Sequence, residues 1–325
     1  MTPFITRRTG LAALTLALLA ASGVQAQDYP TKPIRLLAPF PAGSGPDANA
    51  REIAGELTKI LGQTVIVENK PGASGIIGTD AAAKAAPDGY TLVVGTTSTM
   101  SVLRHLYTKL PFNAEKDFAP VSLLGVLNTG LIATPSAPFK TTAELVAYAK
   151  ANPDTVTAAT LGAGSYFHLA GEWFASNAGA KLRFVPYSTI SPYTDLMAGQ
   201  VQVMFDALPA AVGSIRGGKL KLLALTGQTR HPAFPDVPTF AEAGIADYAP
   251  LAWQGILAPA GTPKTIVEKL SAAMQKAAQN PQLAEKWRQY GGELKATTPA
   301  EFAAFIKADS AKWGQVVRQA GVKLD

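Results

Sequence analysis

The chain predicts an α/β protein of two lobes with a hinge and a cleft between them. Three observations carry this. Short apolar runs alternate with glycine turns and helix-like stretches; the pattern restarts in mid-chain; and the C-terminal third is largely helical, completing the first half.

In order, Ile34 to Ala38 reads as a strand and Asp47 to Ile60 as a helix, with Asp47 near its positive end. Thr64 to Glu68 is the second strand, followed by the turn Pro71 to Gly75 and an Ala-rich helix that stops before Pro87-Asp88-Gly89. Thr91 to Gly95 is the third strand, and Thr96 to Met100 leads into another helix. Strands separated by helices pair in parallel, so the polar and glycyl loops at their C-terminal ends meet on one edge. Phe118 to Val126 and Leu131 to Ala133 are strand-like, Thr142 to Lys150 helical, and Thr157 to Ala159 leads into the turn Gly162 to Ser165 and a helix with Phe167, His168, Glu172 and Trp173. Phe184-Val185, Val201 to Phe205 (ending in Asp206) and Leu220 to Leu225 supply further strands. A Pro-rich crossing, a short strand at Trp253 to Leu257 and helices from Pro263 through Trp313 complete the chain. The lobes are expected at 27–127 plus 236–325 and at 128–235, a double crossover suited to closing on a ligand.

The first 26 residues read as an export signal: Arg7-Arg8, the apolar stretch Leu11 to Ala21, and Val24-Gln25-Ala26 before the cleavage point. The stretch is short for a membrane span, and both the general secretory and the twin-arginine routes fit it. The mature chain is expected outside the cytoplasm. Losing Arg7 and Arg8 takes the 29 basic residues to 27 against 23 acidic ones, a net charge of +4 without basic runs, which argues against nucleic acid as a partner. There is no cysteine, so no disulfide supports the fold, and His105, His168 and His231 are too scattered for a metal cluster. No metal or cofactor is expected.

The turn PFPAGSGPD, Pro39 to Asp47, lacks the Lys-Ser/Thr pair of a nucleotide phosphate loop, and its two glycines, Gly43 and Gly45, lack dinucleotide spacing. Two readings stand: an ordinary strand-to-helix turn, or an anion site made of backbone N–H groups at a helix start. A second turn at Asn69 to Gly75, a third at Gly162 to Ser165 and the export signal favour capture of a carboxylate, aided by the hydroxyls of Ser44, Ser74, Ser98, Thr99 and Ser165. His168 either faces ligand or bonds the backbone. Asp206 either accepts from a ligand amine or hydroxyl or caps a helix before Pro209. Tyr166, Phe167 and Phe205 either stack on an aromatic acid or pack the core.

Several segments together resemble the Bug family, the periplasmic solute receptors of tripartite tricarboxylate transporters. They are PIRLLAPFPAGSGPDANAR (Pro33 to Arg51), NKPGASGIIGTDAAAKAAPDGYTLVVG (Asn69 to Gly95), FPDVPTF (Phe234 to Phe240), WQGILAPAGTP (Trp253 to Pro263) and TTPAEFAAFIKADSAKW (Thr297 to Trp313). The resemblance spans nearly the whole mature chain. It implies a type II periplasmic-binding-protein-like fold and no enzymatic activity. It also implies that Phe40, Ala42, Gly43, Ser44, Ala73 and Ser74 hold one carboxylate, partly through ordered water. Ser98 and Thr99 add polar contacts from the same lobe, and Ser165, His168 and Asp206 face the cleft from the other. The implied solute is a dicarboxylate, an aromatic acid or an acidic amino acid, and the implied partners of a monomeric receptor are inner-membrane transporter subunits. Where the family often has Pro-Tyr-Lys-Gly, this chain has Pro186-Tyr187-Ser188-Thr189, losing a cation that would meet a second carboxylate. The alternatives are a ligand-sensing receptor feeding a signalling system and a hydrolase of carboxylic esters. Ser44 lies in no Gly-x-Ser-x-Gly elbow, which disfavours the hydrolase.

Overall fold

The computed structural model describes residues 29–246 and 248–320; the export signal expected at 1–26 lies outside them. The first sheet contains β1 (Ile34–Ala38), β2 (Val65–Asn69), β3 (Thr91–Thr96), β4 (Phe118–Asn128), β10 (Leu251–Pro259) and β11 (Gly292–Leu294), in the order β11-β4-β10-β3-β1-β2. As their helical crossovers require, β1 pairs in parallel with β2 and with β3. The second sheet contains β5 (Gly130–Ala133), β6 (Thr157–Thr160), β7 (Arg183–Pro186), β8 (Val203–Asp206) and β9 (Lys221–Leu225), in the order β7-β6-β8-β5-β9. Here β6 is parallel to β7 and β8, while β5 is antiparallel to β8 and β9.

Local chemistry explains where the helices begin. Helix α1 (Gly45–Leu61) starts two residues earlier than expected, because Ser44 takes the extended cap conformation and Pro46 suits a first turn, where a missing N–H costs nothing. Its buried residues Ala50, Ile53, Ala54 and Leu57 recur at helical spacing and face the sheet. The other helices are α2 (Ile76–Ala83), α3 (Leu103–Leu106), α4 (Thr142–Ala151), α5 (Tyr166–Ala178), α6 (Tyr193–Met197), α7 (Val212–Arg216), α8 (Lys264–Ala278), α9 (Pro281–Gln289) and α10 (Pro299–Ala320). Among the described residues no helix is long and apolar enough to cross a membrane.

β10 is longer than expected and lies antiparallel between β3 and β4, so a late segment forms the centre of the first sheet. It brings Trp253 into the core with Leu37, Val93, Leu123 and Phe302. The Trp253 indole stands edge-on to Phe302 at 5.5 Å and donates to Asp309 Oδ2 at 2.7 Å, anchoring α10 against the sheet.

The chain passes between the sheets at Thr129 and again after β9. The two passages are bonded to each other: Thr129 N donates to Thr226 Oγ1 at 2.8 Å, and Thr226 N donates to Thr129 O at 2.9 Å. Ahead of β10 a connecting segment packs on the second sheet's helix α5. Phe240 and Tyr248 pack together at 4.5 Å, Tyr248 lies 5.3 Å from Trp173, and its hydroxyl donates to Ala170 O of α5.

Candidate functional site

Three turns meet at the C-terminal ends of β1, β2 and β3. In the first, Ala42 and Gly43 are exposed at the tip, while Phe40 and Ser44 are buried. Gly43 N donates to Asp47 Oδ2 at 2.9 Å, and Ser44 donates to Pro41 O through both its N–H and its Oγ. Asp47, itself buried, also accepts from Asn69 Nδ2 at 2.8 Å and from Arg51 Nε at 3.0 Å. The donors of Gly43 and Ser44 are therefore engaged in shaping the turn. Pro46 has no N–H, and among the described residues the amides of Gly45 and Asp47 have no acceptor. They leave two donors at the positive end of α1.

The second turn is a short 3₁₀ segment, Ala73–Gly75. Gly72, Ala73, Ser74 and Gly75 all have positive φ, from 46° at Ala73 to 128° at Gly72. For Ala73 and Ser74 that backbone costs about 1–2 kcal/mol each, and such strain concentrates where a backbone must present its N–H groups. Gly75 is required twice over: its φ is 94°, and a β-carbon there would sit 2.8 Å from Thr99 Cγ2 and 3.3 Å from Phe40 Cζ. Its absence lets the three turns touch.

The third turn is a π-helical segment, Thr97–Val102, where the sequence indicated only the approach to a helix. Thr96 and Thr99 cap it reciprocally, Thr96 N donating to Thr99 Oγ1 at 3.1 Å and Thr99 N to Thr96 Oγ1 at 3.4 Å. Thr99 thereby serves the turn, while Ser98 faces across the cleft and accepts from Tyr166 N at 2.8 Å.

On the opposite side, Ser165 caps α5 by accepting from His168 N at 3.3 Å. His168 Nδ1 accepts from Gly164 N at 3.0 Å, which puts the proton of the neutral ring on Nε2, 3.6 Å from Glu172 Oε1. Burial holds the ring pKa below its ordinary value. Ser74 Oγ crosses the cleft to donate to Ala163 O at 2.5 Å, and Gly162, with φ 111°, leaves no room there for a β-carbon. Asp206, wholly buried at the end of β8, accepts from Tyr193 Oη at 2.9 Å and from Ala207 N at 2.8 Å. Burial pushes its carboxyl up to about 7, against the lowering effect of those two bonds. A β-carbon on Gly45 would lie 3.6 Å from Asp206 Oδ1, so this carboxyl rests beside the start of α1.

A narrow pocket remains between the sides, with about 20 Å³ open to the centre of a water molecule, roughly what one water needs. Of the residues singled out from sequence, Phe40, Ser98 and Ser165 line it; Ser74 and Asp206 stand at cross-cleft contacts outside its wall; and Ala42, Gly43, Ser44, Ala73, Thr99 and His168 are not in its wall. Tyr166 and Phe167 line it as well, with Thr97, Trp253 and Gln254 as residues the sequence reading missed. The available signal was the lone polar side chain in the apolar run Trp253 to Ala258. No lysine, arginine or histidine lines the pocket. In the loop after β7, Tyr187 Oη donates to Asp195 Oδ2 at 2.7 Å.

Residues 49–322 match the TctC family, described as the Tripartite tricarboxylate transporter family receptor. Protein BugT of Bordetella pertussis is 36% identical over 306 residues, 94% of this chain and 94% of that protein. Among solved structures, R. palustris Rpa4515 with adipate superimposes with a TM-score of 0.87 at 32% identity, over 91% of this chain and 99% of that one. MatC (Rpa3494) from Rhodopseudomonas palustris, with bound malate, gives a TM-score of 0.84 at 33% identity over 89% and 100%. The bilobed type II periplasmic-binding-protein-like fold is shared throughout. With turns meeting across a narrow pocket and likeness running over nearly the whole chain, this protein belongs to the tripartite tricarboxylate transporter receptor family.

Proposed function

We propose that this receptor works in the periplasm, capturing a small carboxylate and presenting it, as a monomer in closed form, to inner-membrane subunits of a tripartite transporter. The observation that carries the reading is the convergence of unpaired amides at the α1 start and the positive-φ run 72–75 on one side of the cleft. The relatives with adipate and malate support the same solute class.

In this reading the carboxylate docks against the turns around Ala42 to Gly45 and Ala73-Ser74. Phe40 and Ser98 flank it, and Ser165 and Asp206 approach as the lobes close. Sheet membership supports lobe boundaries at Thr129 and between Tyr248 and Leu251. Closure hides the solute and changes the face offered to the membrane partner.

The test is thermal unfolding of residues 27–325, refolded to strip retained solute, against aliphatic, aromatic and amino carboxylates including adipate and malate. Ligands that bind only the folded state raise Tm. A saturable rise with one class supports the reading, and no rise with any carboxylate from a natively folded sample overturns it.

A further inference from the structure

Gln254 occupies the middle of β10, opposite Thr96 on one neighbouring strand and Gly125 on the other, and is 4% exposed. A primary amide buried this deeply normally has both ends hydrogen-bonded. Here only the oxygen is: Asn49 Nδ2, from a wholly buried side chain of α1, donates to Gln254 Oε1 at 3.1 Å. Among the described residues Gln254 Nε2 has no acceptor, and Asn49 Oδ1 is buried without a donor. Of the two free ends only Asn49 Oδ1 is sealed off from solvent, so it is informative that Gln254 stands at the pocket wall.

The neighbouring groups show what Nε2 can receive. Thr97 Oγ1 accepts from Trp253 N at 3.0 Å, Ser98 Oγ from Tyr166 N, and Ser165 Oγ from His168 N. Each of these hydroxyls is bonded to a backbone N–H, and none is bonded to Gln254. With its oxygen turned to Asn49, the amide presents its N–H groups to the pocket. Apart from Thr96, whose Oγ1 accepts from Thr99 N, the remaining wall is apolar or aromatic, including Phe40, Leu161 and Phe167, and carries no cation. A second full negative charge there would be desolvated without a counter-ion. An uncharged oxygen meets the amide without that cost.

We propose that Gln254, oriented by Asn49, is a specificity-determining residue that selects carboxylate solutes bearing an uncharged oxygen acceptor, such as a ketone, amide or ether oxygen, at the end remote from the carboxylate. This rests on the carboxylate-receptor reading and narrows it. Asn49 is a positioning residue; Gln254 makes the contact.

Calorimetric titration of refolded protein with straight-chain monocarboxylic acids of increasing length, each paired with its methyl-ketone counterpart, tests this directly. At the fitting length the oxo acid is expected to bind tighter by about tenfold, the worth of one well-placed hydrogen bond in a desolvated site. Gln254→Met, which keeps the length and removes the donor, brings the ratio of the two dissociation constants to near one, and Gln254→Leu does the same should the thioether disturb folding. Asn49→Ala lowers the ratio with Gln254 still present. A purely structural lesion would weaken both acids alike and leave the ratio unchanged. Equal binding of every pair by the wild type, or a preference that survives in both Gln254 variants, overturns the inference while carboxylate binding stands. Failure of all carboxylates to bind overturns the receptor reading and this inference together.

Discussion

Asp47 and Asp206 are both buried beside the cleft, one on each side, and their surroundings differ. Asp47 faces away from the pocket into a backbone amide, an asparagine and an arginine, so its charge is used up in holding a turn. Asp206 has one phenol and one amide, no cation, and a pKa pushed up to about 7 by burial. The contrast teaches that the first side of the cleft is a preset frame in which side chains serve the backbone. The second side instead keeps a side chain whose charge depends on its surroundings.

The comparison breaks most sharply at Gly162. With φ at 111° and Ser74 Cα and N each 3.1 Å from a β-carbon placed there, Gly162→Ala obstructs closure against the frame. Solute affinity is expected to fall by about a hundredfold, some 3 kcal/mol, with a smaller loss of Tm. Equal affinity by titration would show that the sides need not meet.

Asp47→Ala removes the acceptor shared by Gly43, Arg51 and Asn69. Chemical denaturation is expected to show a loss of about 2–3 kcal/mol. A change below about half a kcal/mol would mean that the turn holds its shape unaided.

Asp206 sharpens the comparison through pH. Its raised pKa means that the folded state holds the proton more tightly than the unfolded chain, so the stability it contributes is full below about pH 4 and is lost as pH rises through about 7. Asp206→Asn should flatten stability against pH in that window, removing a slope of at most about 1.4 kcal/mol per unit. Parallel profiles for variant and wild type would place the titration elsewhere. Ser74→Ala gives the smallest effect: it removes one cross-cleft hydrogen bond, to Ala163 O, and is expected to weaken solute binding by less than about tenfold.

Much of this was legible because strand, glycine turn and helix are local patterns. The parallel trio β1, β2 and β3, the meeting of their turns, and the likeness to a solute-receptor family all follow from short segments. The pocket floor was not legible in that way. Gln254 meets Asn49 across 205 residues of chain, and β10 reaches the sheet centre by antiparallel pairings that no local period announces. His168 and Thr99 were singled out by residue type and neighbourhood, and the structure engages both in capping their own segments, a competition between local and ligand bonds that spacing alone does not decide.

The reciprocal bonds between Thr129 and Thr226 have a mechanical consequence. Two separate passages would let the lobes swivel and shear as well as open. Stitched side by side, they resist twisting about either strand and leave bending of the pair as the compliant direction. For the closure proposed above, opening along that one direction would return the turns of one side to register with Ala163 and Tyr166 on the other.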